Sequence, residues 1–280
     1  MKGLNEMGCR RARSRARHFA FCILHSAFCI TVLSGCSPRR VALPTDSGSP
    51  FPDFASVHAQ LSAACRGIRT LTAELSLAGH AGAERLRGRV HAGFVRPDSM
   101  RLEGVAPFGP PAFILASRDR VATLLLPREP AVLRGQPPEQ ILGALVGVTL
   151  APADVLAIIT GCVVSSPMPT AGRLHAKGWA SIAIGGDAEL FLRRTSDWEI
   201  RAARRNGWQI EYADWHGQQF PPAVRLISNT PAVTVDLTAT ITQVRVNTDL
   251  DASAFPVDVP PDARAITLEQ LRDAGPLRGQ

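Results

Sequence analysis

The side chains that could perform acid–base or metal chemistry are scattered along the sequence. Beyond residue 35 the histidines stand singly, and Glu74, Glu84 and Glu103 fall on the polar positions of alternating segments. The sequence has no His-Glu-x-x-His, no Gly-x-Ser-x-Gly, no phosphate-binding glycine loop and no dinucleotide-binding fingerprint. We therefore predict that the protein is not an enzyme and uses no cofactor or metal. A hydrolase assembled from residues far apart in the chain is the alternative left open. The histidines in question are His58, His80, His91, His175 and His216.

The cysteine at position 36 carries a more specific prediction. A basic segment from Arg10 to Arg17 is followed by a mostly apolar stretch over 19–32, which is the arrangement of a secretory signal peptide. The stretch ends at Leu33-Ser34-Gly35-Cys36, which resembles a bacterial lipobox, where the cysteine is diacylated and becomes the new N-terminus. We predict that residues 1–35 are a lipoprotein signal peptide and that Cys36 is the lipidation site. The alternative is a secretory leader with a chance cysteine at this place.

Lipidation would also determine where the protein resides. An apolar stretch of about 14 residues is too short to span a bilayer, which takes about 20, so the anchor would be the lipid on Cys36. Ser37 follows the cysteine, where an aspartate would retain the protein at the inner membrane of a Gram-negative cell. We expect a lipid-anchored protein on the periplasmic face of the outer membrane. The sequence leaves open whether translation starts at Met1 or Met7.

Most of the positive charge belongs to the leader. The whole chain has a formal net charge of +7, but residues 1–35 hold six basic residues and one acidic residue, so +2 remains on the rest. A nucleic-acid-binding protein needs a basic face on its folded part. We therefore predict that nucleic acid is not a partner.

Two cysteines remain once the leader is removed and Cys36 is acylated. Cys65 and Cys162 would lie in an oxidising compartment, where disulfides form. Their spacing resembles neither a zinc site nor a thioredoxin-type motif. A disulfide between the two is our prediction, and two buried free thiols are the alternative.

The apolar pattern predicts a mainly β protein with a few α-helices. Residues 36–52 are rich in proline and serine and have no periodicity, so we expect a flexible tether. Helical spacing predicts helices over 54–68, 138–147, 152–160 and 267–273, and period-two alternation predicts strands before and after the middle pair of helices. The expected strands are 71–77, 85–94, 99–106, 112–117, 121–127, 178–184, 188–194, 198–205, 208–215, 223–228 and 232–247, with a short one near 255–259.

This order of elements predicts one domain over residues 53–280. About eleven antiparallel strands must curl strongly or close. The two apolar helices in the middle of the chain can bury their side chains only on the concave face of that sheet. We therefore expect a strongly curved antiparallel sheet, a half-open barrel, whose concave face is plugged by helices.

Four short motifs follow one another between Gly104 and Cys162. They are Pro107-Phe108-Gly109, Ile141-Leu142 to Gly147, Leu150-Ala151-Pro152, and Leu156 to Gly161. Their order is similar to that in the LolB/LolA family of bacterial outer-membrane lipoprotein receptors and carriers. In that family a Pro-apolar-Gly loop precedes a hairpin, and a helix then leads through a glycine and a Leu-Pro turn into a second helix that ends in glycine. The chain departs from the pattern at Ala157-Ile158-Ile159, where the family usually has a tryptophan, at Cys162 in place of a proline, and in the extension beyond 250.

The resemblance implies a hollow that binds the acyl chains of another lipoprotein. It also implies that Pro107, Phe108 and Gly109 form a loop whose apolar side chain projects outward and helps to move cargo into the membrane, whereas an aromatic packed on the core is the alternative. The residues expected to line the hollow are Leu75, Leu77, Val90, Phe94, Leu102, Ile114, Leu124, Ile141, Leu145, Ile158, Ile159, Ile184, Leu192, Ile210 and Leu237.

The implied function is that of an outer-membrane-anchored transport protein, which receives acylated lipoproteins and inserts them. Its partners would be acylated lipoproteins or lipids, a LolA-like periplasmic carrier, and the membrane through the N-terminal lipid, and we expect a monomer. Two alternatives stay open. One is a lipid-binding or envelope-stress-sensing lipoprotein of the same fold without insertion activity, and the other is a structural lipoprotein whose core is filled.

Overall fold

Buried and exposed side chains alternate along the strands, so that one face of the sheet carries the core. In Ser99–Val105, for example, Met100, Leu102 and Gly104 are buried and the residues between them are partly exposed. The structure is a computed structural model that describes residues 40–163, 168–186, 188–205, 207–213, 215, 218–229, 234–250 and 252–275. The predicted signal peptide and Cys36 lie outside the described residues. Residues 41–280 form one unit.

Among the described residues, fifteen strands form a single sheet. Their spatial order is β1-β8-β9-β10-β11-β12-β13-β14-β2-β3-β4-β5-β6-β7-β15, in which the terminal strands β1 and β15 do not pair with each other. The strands are β1 Ser49–Pro50, β2 Thr70–Ala81, β3 Glu84–Val95, β4 Ser99–Val105, β5 Ile114–Arg118, β6 Val121–Leu126, β7 Ala131–Gln136, β8 Ala171–His175, β9 Trp179–Ala183, β10 Glu189–Arg194, β11 Trp198–Arg205, β12 Trp208–Tyr212, β13 Ala223–Asn229, β14 Thr234–Val246 and β15 Arg264–Ala265. The predicted mainly β architecture with an unclosed sheet is therefore confirmed.

Four α-helices accompany the sheet in the described part of the chain. They are α1 Phe54–Arg66, α2 Pro138–Val146, α3 Pro152–Thr160 and α4 Leu268–Ala274. Helices α2 and α3 each have proline in the first turn and end at a glycine in the left-handed conformation, Gly147 and Gly161, which is how the sequence marks their limits. Their buried residues join the same core cluster as the inward side chains of the strands. The expectation that helices pack on the core face of the sheet is confirmed.

The extension beyond residue 250 crosses the outer side of β4 and then reaches the sheet edge. Arg101 on β4 donates hydrogen bonds to the carbonyl oxygens of Ala254 and Pro256, at 3.0 and 3.1 Å. Strand β15 then pairs with β7 in parallel, which is the one parallel pairing among the described strands. Helix α4 follows and contacts α2, with Leu271 fully buried. The extension therefore supports one of the helices that cover the core.

Five elements differ from the sequence prediction. Strands β1, β7, β8 and β15 lie where no strand is predicted, and β1 and β15 are only two residues long. The strand expected near 255–259 does not form, because this segment lies across β4 through its carbonyl groups instead of pairing edge to edge. Such short or unpaired segments depend on distant partners, so local pattern cannot predict them.

Residues 41–52, expected to belong to a flexible tether, pack on the sheet instead. Val41 and Leu43 contact a cluster formed by Trp179, Phe191 and Ala202. Phe51 is buried, and its backbone N–H donates to the carbonyl of Gly172 at 3.1 Å. These contacts join residues more than a hundred positions apart, which the Pro- and Ser-rich composition of the segment gave no means to foresee.

A hydrogen bond between the side chains of Asp46 and His175, which we call the clamp, holds this segment on the sheet. We expect this hydrogen bond to be lost in acid. His175 Nδ1 lies 2.9 Å from Asp46 Oδ1, and Nε2 lies 3.1 Å from the Ser181 hydroxyl. The hydrogen bond with His175 lowers the pKa of Asp46 below its usual value. The clamp is therefore complete above the ordinary pKa of aspartate and is lost as the pH falls through the lowered pKa of Asp46.

Amide hydrogen exchange of residues 41–50 tests this clamp. Asp46→Asn should remove most of the protection of the segment at neutral pH and should abolish its further loss in acid, with β2 and β3 as internal reference. Equal protection of the segment in wild type at neutral and strongly acidic pH, with the sheet intact, would contradict the assignment.

Candidate functional site

An apolar cavity of about 120 Å³ lies between the core face of the sheet and helices α2 and α3. Its floor comes from β2, β3, β4, β13 and β14, and its roof from α2, α3 and the link between them. Every lining side chain is apolar, so the cavity offers neither a hydrogen bond nor a charge. The lining residues are Leu75, Leu77, Val90, Leu102, Phe113, Leu142, Leu145, Val146, Val148, Leu150, Val155, Ile158, Ile159, Val224, Leu226, Leu237 and Ala239.

The cavity reaches the surface on one side. Leu77, Val146, Leu150 and Val155 are half-buried, whereas the remaining lining residues are buried. Leu77 lies on the core face of β2, the face that the roof helices cover. We call these four residues the mouth of the cavity.

Sequence reasoning placed eight of the fifteen expected lining residues at this cavity. They are Leu75, Leu77, Val90, Leu102, Leu145, Ile158, Ile159 and Leu237. Six others are buried in the surrounding core and do not reach the cavity. These are Phe94, Leu124, Ile141, Ile184, Leu192 and Ile210. Alternation identifies the core face correctly, but which side chains border a void depends on how well their neighbours fill the space.

Ile114 was expected at the cavity and lies elsewhere. Phe113, which directly precedes β5, points inward, as do Leu115 and Ser117 on β5. Ile114 lies on the opposite face and is half-buried, so Phe113 lines the cavity in its place. Residues 113–115 are all apolar, and a run of this kind does not indicate which face each residue occupies. The ring of Phe113 lies 2.5 Å from the position of a Cβ on residue 104, and therefore only Gly104 permits this approach.

Further lining residues were missed by sequence reasoning, although signals for some were present. Val224 and Leu226 alternate on β13, and Leu142 follows Ile141 on the apolar side of α2. Val148 and Leu150 belong to the link between the roof helices, which has no periodicity. The other missed residues are Val146, Val155 and Ala239.

The size of the cavity limits what it holds in this conformation. An engineered protein cavity of about 150 Å³ lined by similar aliphatic and aromatic side chains stays dry and accepts benzene. A cavity of about 120 Å³ is therefore large enough for a short piece of hydrocarbon. Sites for whole small molecules begin at roughly 300 Å³, so a complete acyl chain requires the roof to move outward.

Helix α3 is fixed at its C-terminal end. Cys65 of α1 and Cys162 are joined by a disulfide, with their Cα atoms 5.5 Å apart. The indole of Trp215 packs against Gly161, with its ring 2.4 Å from the position of a Cβ, and stacks on Tyr212 with ring centroids 5.9 Å apart. Burial raises the pKa of the Tyr212 phenol well above its usual value, so this ring is a neutral packing group. We therefore expect any outward movement of the roof at α2 and at the link over 147–151.

The expected cargo-transfer loop projects from the molecule. The Phe108 side chain is 87% exposed, in a loop that also contains Pro107 and the positive-φ residue Gly109. Arg128 binds the backbone of the loop, because its guanidinium donates to the carbonyl oxygens of Phe108 at 2.8 Å and of Pro110 at 3.4 Å. The backbone is thus held in place while the aromatic ring stays in solvent.

The register of the sheet places this loop beside the mouth. Leu77 is opposite Gly88 in the β2–β3 pair, and Arg89 is opposite Val105 in the β3–β4 pair. The loop after Val105 therefore begins, at Ala106, level with Leu77 and two strands away. On its other side the loop leads into Phe113 in the cavity wall, and the backbone N–H of Gly104 donates to the carbonyl of Phe113. One stem of the loop thus continues β4, which contributes Leu102 to the cavity, and the other leads into Phe113.

Charged groups in this part of the sheet lie on the outer face. Arg225 on β13 donates to both carboxylate oxygens of Asp236 on β14, at 2.7 and 2.6 Å, and these hydrogen bonds raise the pKa of Arg225. Their neighbours Val224 and Leu237 point to the cavity. Within the described ranges no cluster of three or more His, Cys, Asp and Glu side chains could hold a metal ion, and no helix is long and apolar enough to cross a membrane.

Solved structures that resemble this chain include proteins of lipoprotein sorting. A LolA superfamily protein from Nitrosomonas europaea is 10% identical and matches 72% of this chain and 98% of its own, with a TM-score of 0.49. A DUF1329 family protein from Desulfovibrio piger is 12% identical over 72% of this chain and 97% of its own (TM-score 0.46). An outer membrane lipoprotein-sorting protein domain from Vibrio parahaemolyticus is 11% identical over 72% and 95% (TM-score 0.44). No protein-family model and no curated protein matches the sequence.

Proposed function

We propose that the cavity binds the hydrocarbon chains of acylated lipoproteins, and that the protein is a receptor held on the periplasmic face of the outer membrane by a lipid on Cys36. It receives lipoproteins from a LolA-like periplasmic carrier and passes them into the membrane. The observation that carries the proposal is a wholly apolar, partly open cavity with its mouth beside the exposed Phe108.

The need for such a site arises because exposure of acyl chains to water is unfavourable. Each methylene group that leaves an apolar environment for water costs about 0.8 kcal/mol, so an acylated protein cannot cross the periplasm with its chains exposed. A cavity without polar groups can keep an acyl chain out of water. It can also release the chain again, because no specific hydrogen bond must break. The final step needs contact with the membrane, and the loop at the mouth is the element suited to make it.

A lipid carrier or sensor of the same fold is the second candidate. It is favoured by the lining itself, since a site without polar side chains recognises a hydrocarbon chain and not the group attached to it. The two candidates therefore differ in cargo and not in the chemistry of the cavity.

Mass spectrometry of ligands copurified with the mature Cys36→Ala protein separates the candidates. This variant lacks its own lipid, so every acyl chain found is bound cargo. Acylated polypeptide supports the receptor, and free phospholipid or glycolipid alone supports the carrier. A preparation with no acyl compound, and no uptake of an added acyl-chain probe, would overturn both.

Val155→Trp should block the cavity at its mouth. Val155 lies on α3 and lines the cavity, so an indole at this position occupies the space that a chain would enter. We expect the affinity for a fluorescent acyl-chain probe to fall between about fivefold and about a hundredfold, since overpacking of an apolar site costs about 1–3 kcal/mol.

Ala153→Trp is the matched control, because Ala153 is exposed on the same helix and does not line the cavity. Its affinity for the probe should equal that of wild type. Equal affinities for wild type and Val155→Trp would place the bound chain somewhere other than this cavity.

A further inference from the structure

Three arginines project from the outer face of β3 at the end of the sheet that carries the Phe108 loop. Arg85, Arg87 and Arg89 occupy alternate positions, so their side chains share one face, opposite the buried Leu86 and Val90. All three are exposed. We call them the arginine strip.

The strip carries more positive charge than its surroundings neutralise. Glu74 on β2 lies 3.7 Å from Arg89 and also 3.8 Å from His91. Among the described residues, no acidic side chain pairs with Arg85 or Arg87. The positions opposite them on β2 are His80 and Ala78. Glu84, directly before the strip, occupies a position on the other face of β3, the face that carries Leu86.

The acidic residues of the neighbouring strands are already bonded to other arginines. Glu103 on β4 contacts Arg101 at 2.6 Å, and Asp236 on β14 receives two hydrogen bonds from Arg225. Glu211 on β12 also lies 4.0 Å from Arg225, so neither group has an excess of positive charge. At this end of β2, β3, β4 and β14, the positive charge that is not neutralised therefore lies on the strip.

The strip is close to the most exposed aromatic residue of the described chain. Arg89 is opposite Val105, the last residue of β4, and Phe108 follows three residues later. A cationic row beside a projecting aromatic ring matches a surface in which anionic groups border hydrocarbon, and a membrane interface has this arrangement. The surface of a soluble acidic protein supplies the negative charge but does not supply a hydrocarbon layer beside it for the aromatic ring.

We propose that the arginine strip binds the anionic head groups of a phospholipid surface and orients the protein so that Phe108 meets the hydrocarbon. The proposal adds a contact to the proposed function, and it does not require that the cavity be occupied. Because head-group binding and chain binding use opposite faces of the sheet, either can fail without the other.

Sedimentation with lipid vesicles tests the proposal on the mature Cys36→Ala protein. We expect binding to vesicles of phosphatidylethanolamine with phosphatidylglycerol, weaker binding at high salt, and little binding to phosphatidylcholine alone. Arg85→Ser with Arg87→Ser and Arg89→Ser should lower the partition coefficient on the anionic vesicles on the order of a hundredfold, at about fivefold for each arginine.

The control removes the same charge from the opposite end of the sheet, through Arg66→Ser, Arg118→Ser and Arg120→Ser. These residues are exposed, and this variant should bind as wild type does. Equal loss in both variants, or no loss in the strip variant, would overturn the proposal. Unchanged vesicle binding with lost binding to polyglutamate would assign the strip to an acidic polypeptide and overturn it likewise.

Uptake of the acyl-chain probe is measured on the same variants to keep the two proposals distinct. The strip variant should take up the probe as wild type does. Loss of vesicle binding with normal uptake supports the strip whatever cargo is found, whereas absent uptake in every variant contradicts the proposed function and leaves the vesicle result valid.

Discussion

Replacing both cysteines, Cys65→Ala with Cys162→Ala, will lower the free energy of unfolding by about 4 kcal/mol. The disulfide closes a loop between residues 97 positions apart, and a cross-link of this span removes a large part of the conformational freedom of the unfolded chain. Both cysteines are buried, so the loss of two sulfur atoms also leaves small voids between α1 and the end of α3. Urea unfolding of the oxidised wild type and of the double variant measures the difference.

Reduced wild-type protein is the control for this experiment. Reduction breaks the bond without removing atoms, so the difference between reduced wild type and the double variant isolates the packing contribution of the two sulfur atoms. A total loss below about 1 kcal/mol would show that α1 and α3 are held together equally well without the bond. In that case the C-terminal end of α3 would not be the fixed end of the roof.

Phe108→Glu is expected to reduce the delivery of a lipoprotein into membranes at least about tenfold. Burial of a phenylalanine side chain contributes about 1.5–3 kcal/mol, and a glutamate at the same place must also leave water and approach anionic head groups. Phe108 is 87% exposed, so the substitution removes few contacts within the folded protein. The thermal unfolding midpoint should therefore stay within about a degree of wild type.

Transfer of an acylated cargo from its carrier to vesicles measures this effect. Phe108→Leu should retain most of the transfer, because an apolar side chain is kept. Met168→Glu is the matched control, since Met168 is 79% exposed and lies in a different loop. If Phe108→Glu delivers cargo at the wild-type rate, or if Met168→Glu is equally impaired, the loop has no special part in delivery.

The two variants test two different requirements of the proposed function. The disulfide and the packing of Trp215 on Gly161 hold one end of the roof. Under the proposed function, the other end, at α2 and the link, is the part expected to move when a long chain enters, and α2 contacts α4 of the C-terminal extension. Movement at that end would enlarge the cavity without a change in the register of the sheet.

Local pattern was sufficient for the elements that follow a period. Alternation identified the long strands β2, β3 and β14, and the Pro and Gly positions marked the limits of α2 and α3 to within one residue. These signals are local, because side-chain direction in a strand or helix repeats every two or 3.6 residues whatever the rest of the chain does.

The tertiary structure alone decided which apolar residues border empty space. Phe94 and Val90 lie on the same face of β3, yet only Val90 reaches the cavity, and Phe113 lines it where Ile114 was expected. A void is the space left when side chains from strands and helices far apart in sequence fail to fill a volume, and no single segment contains that information.

Register likewise decided which surface features become neighbours. Composition and periodicity were enough to predict a mainly β chain with two apolar helices and a proline-rich loop around Phe108. Only the pairing of β3 with β4 brought that loop beside the arginine strip, and only the pairing of β2 with β3 brought it level with Leu77. Hydrogen bonds between the strands fix this register. A shift of one residue would move every side chain of a strand to the other face.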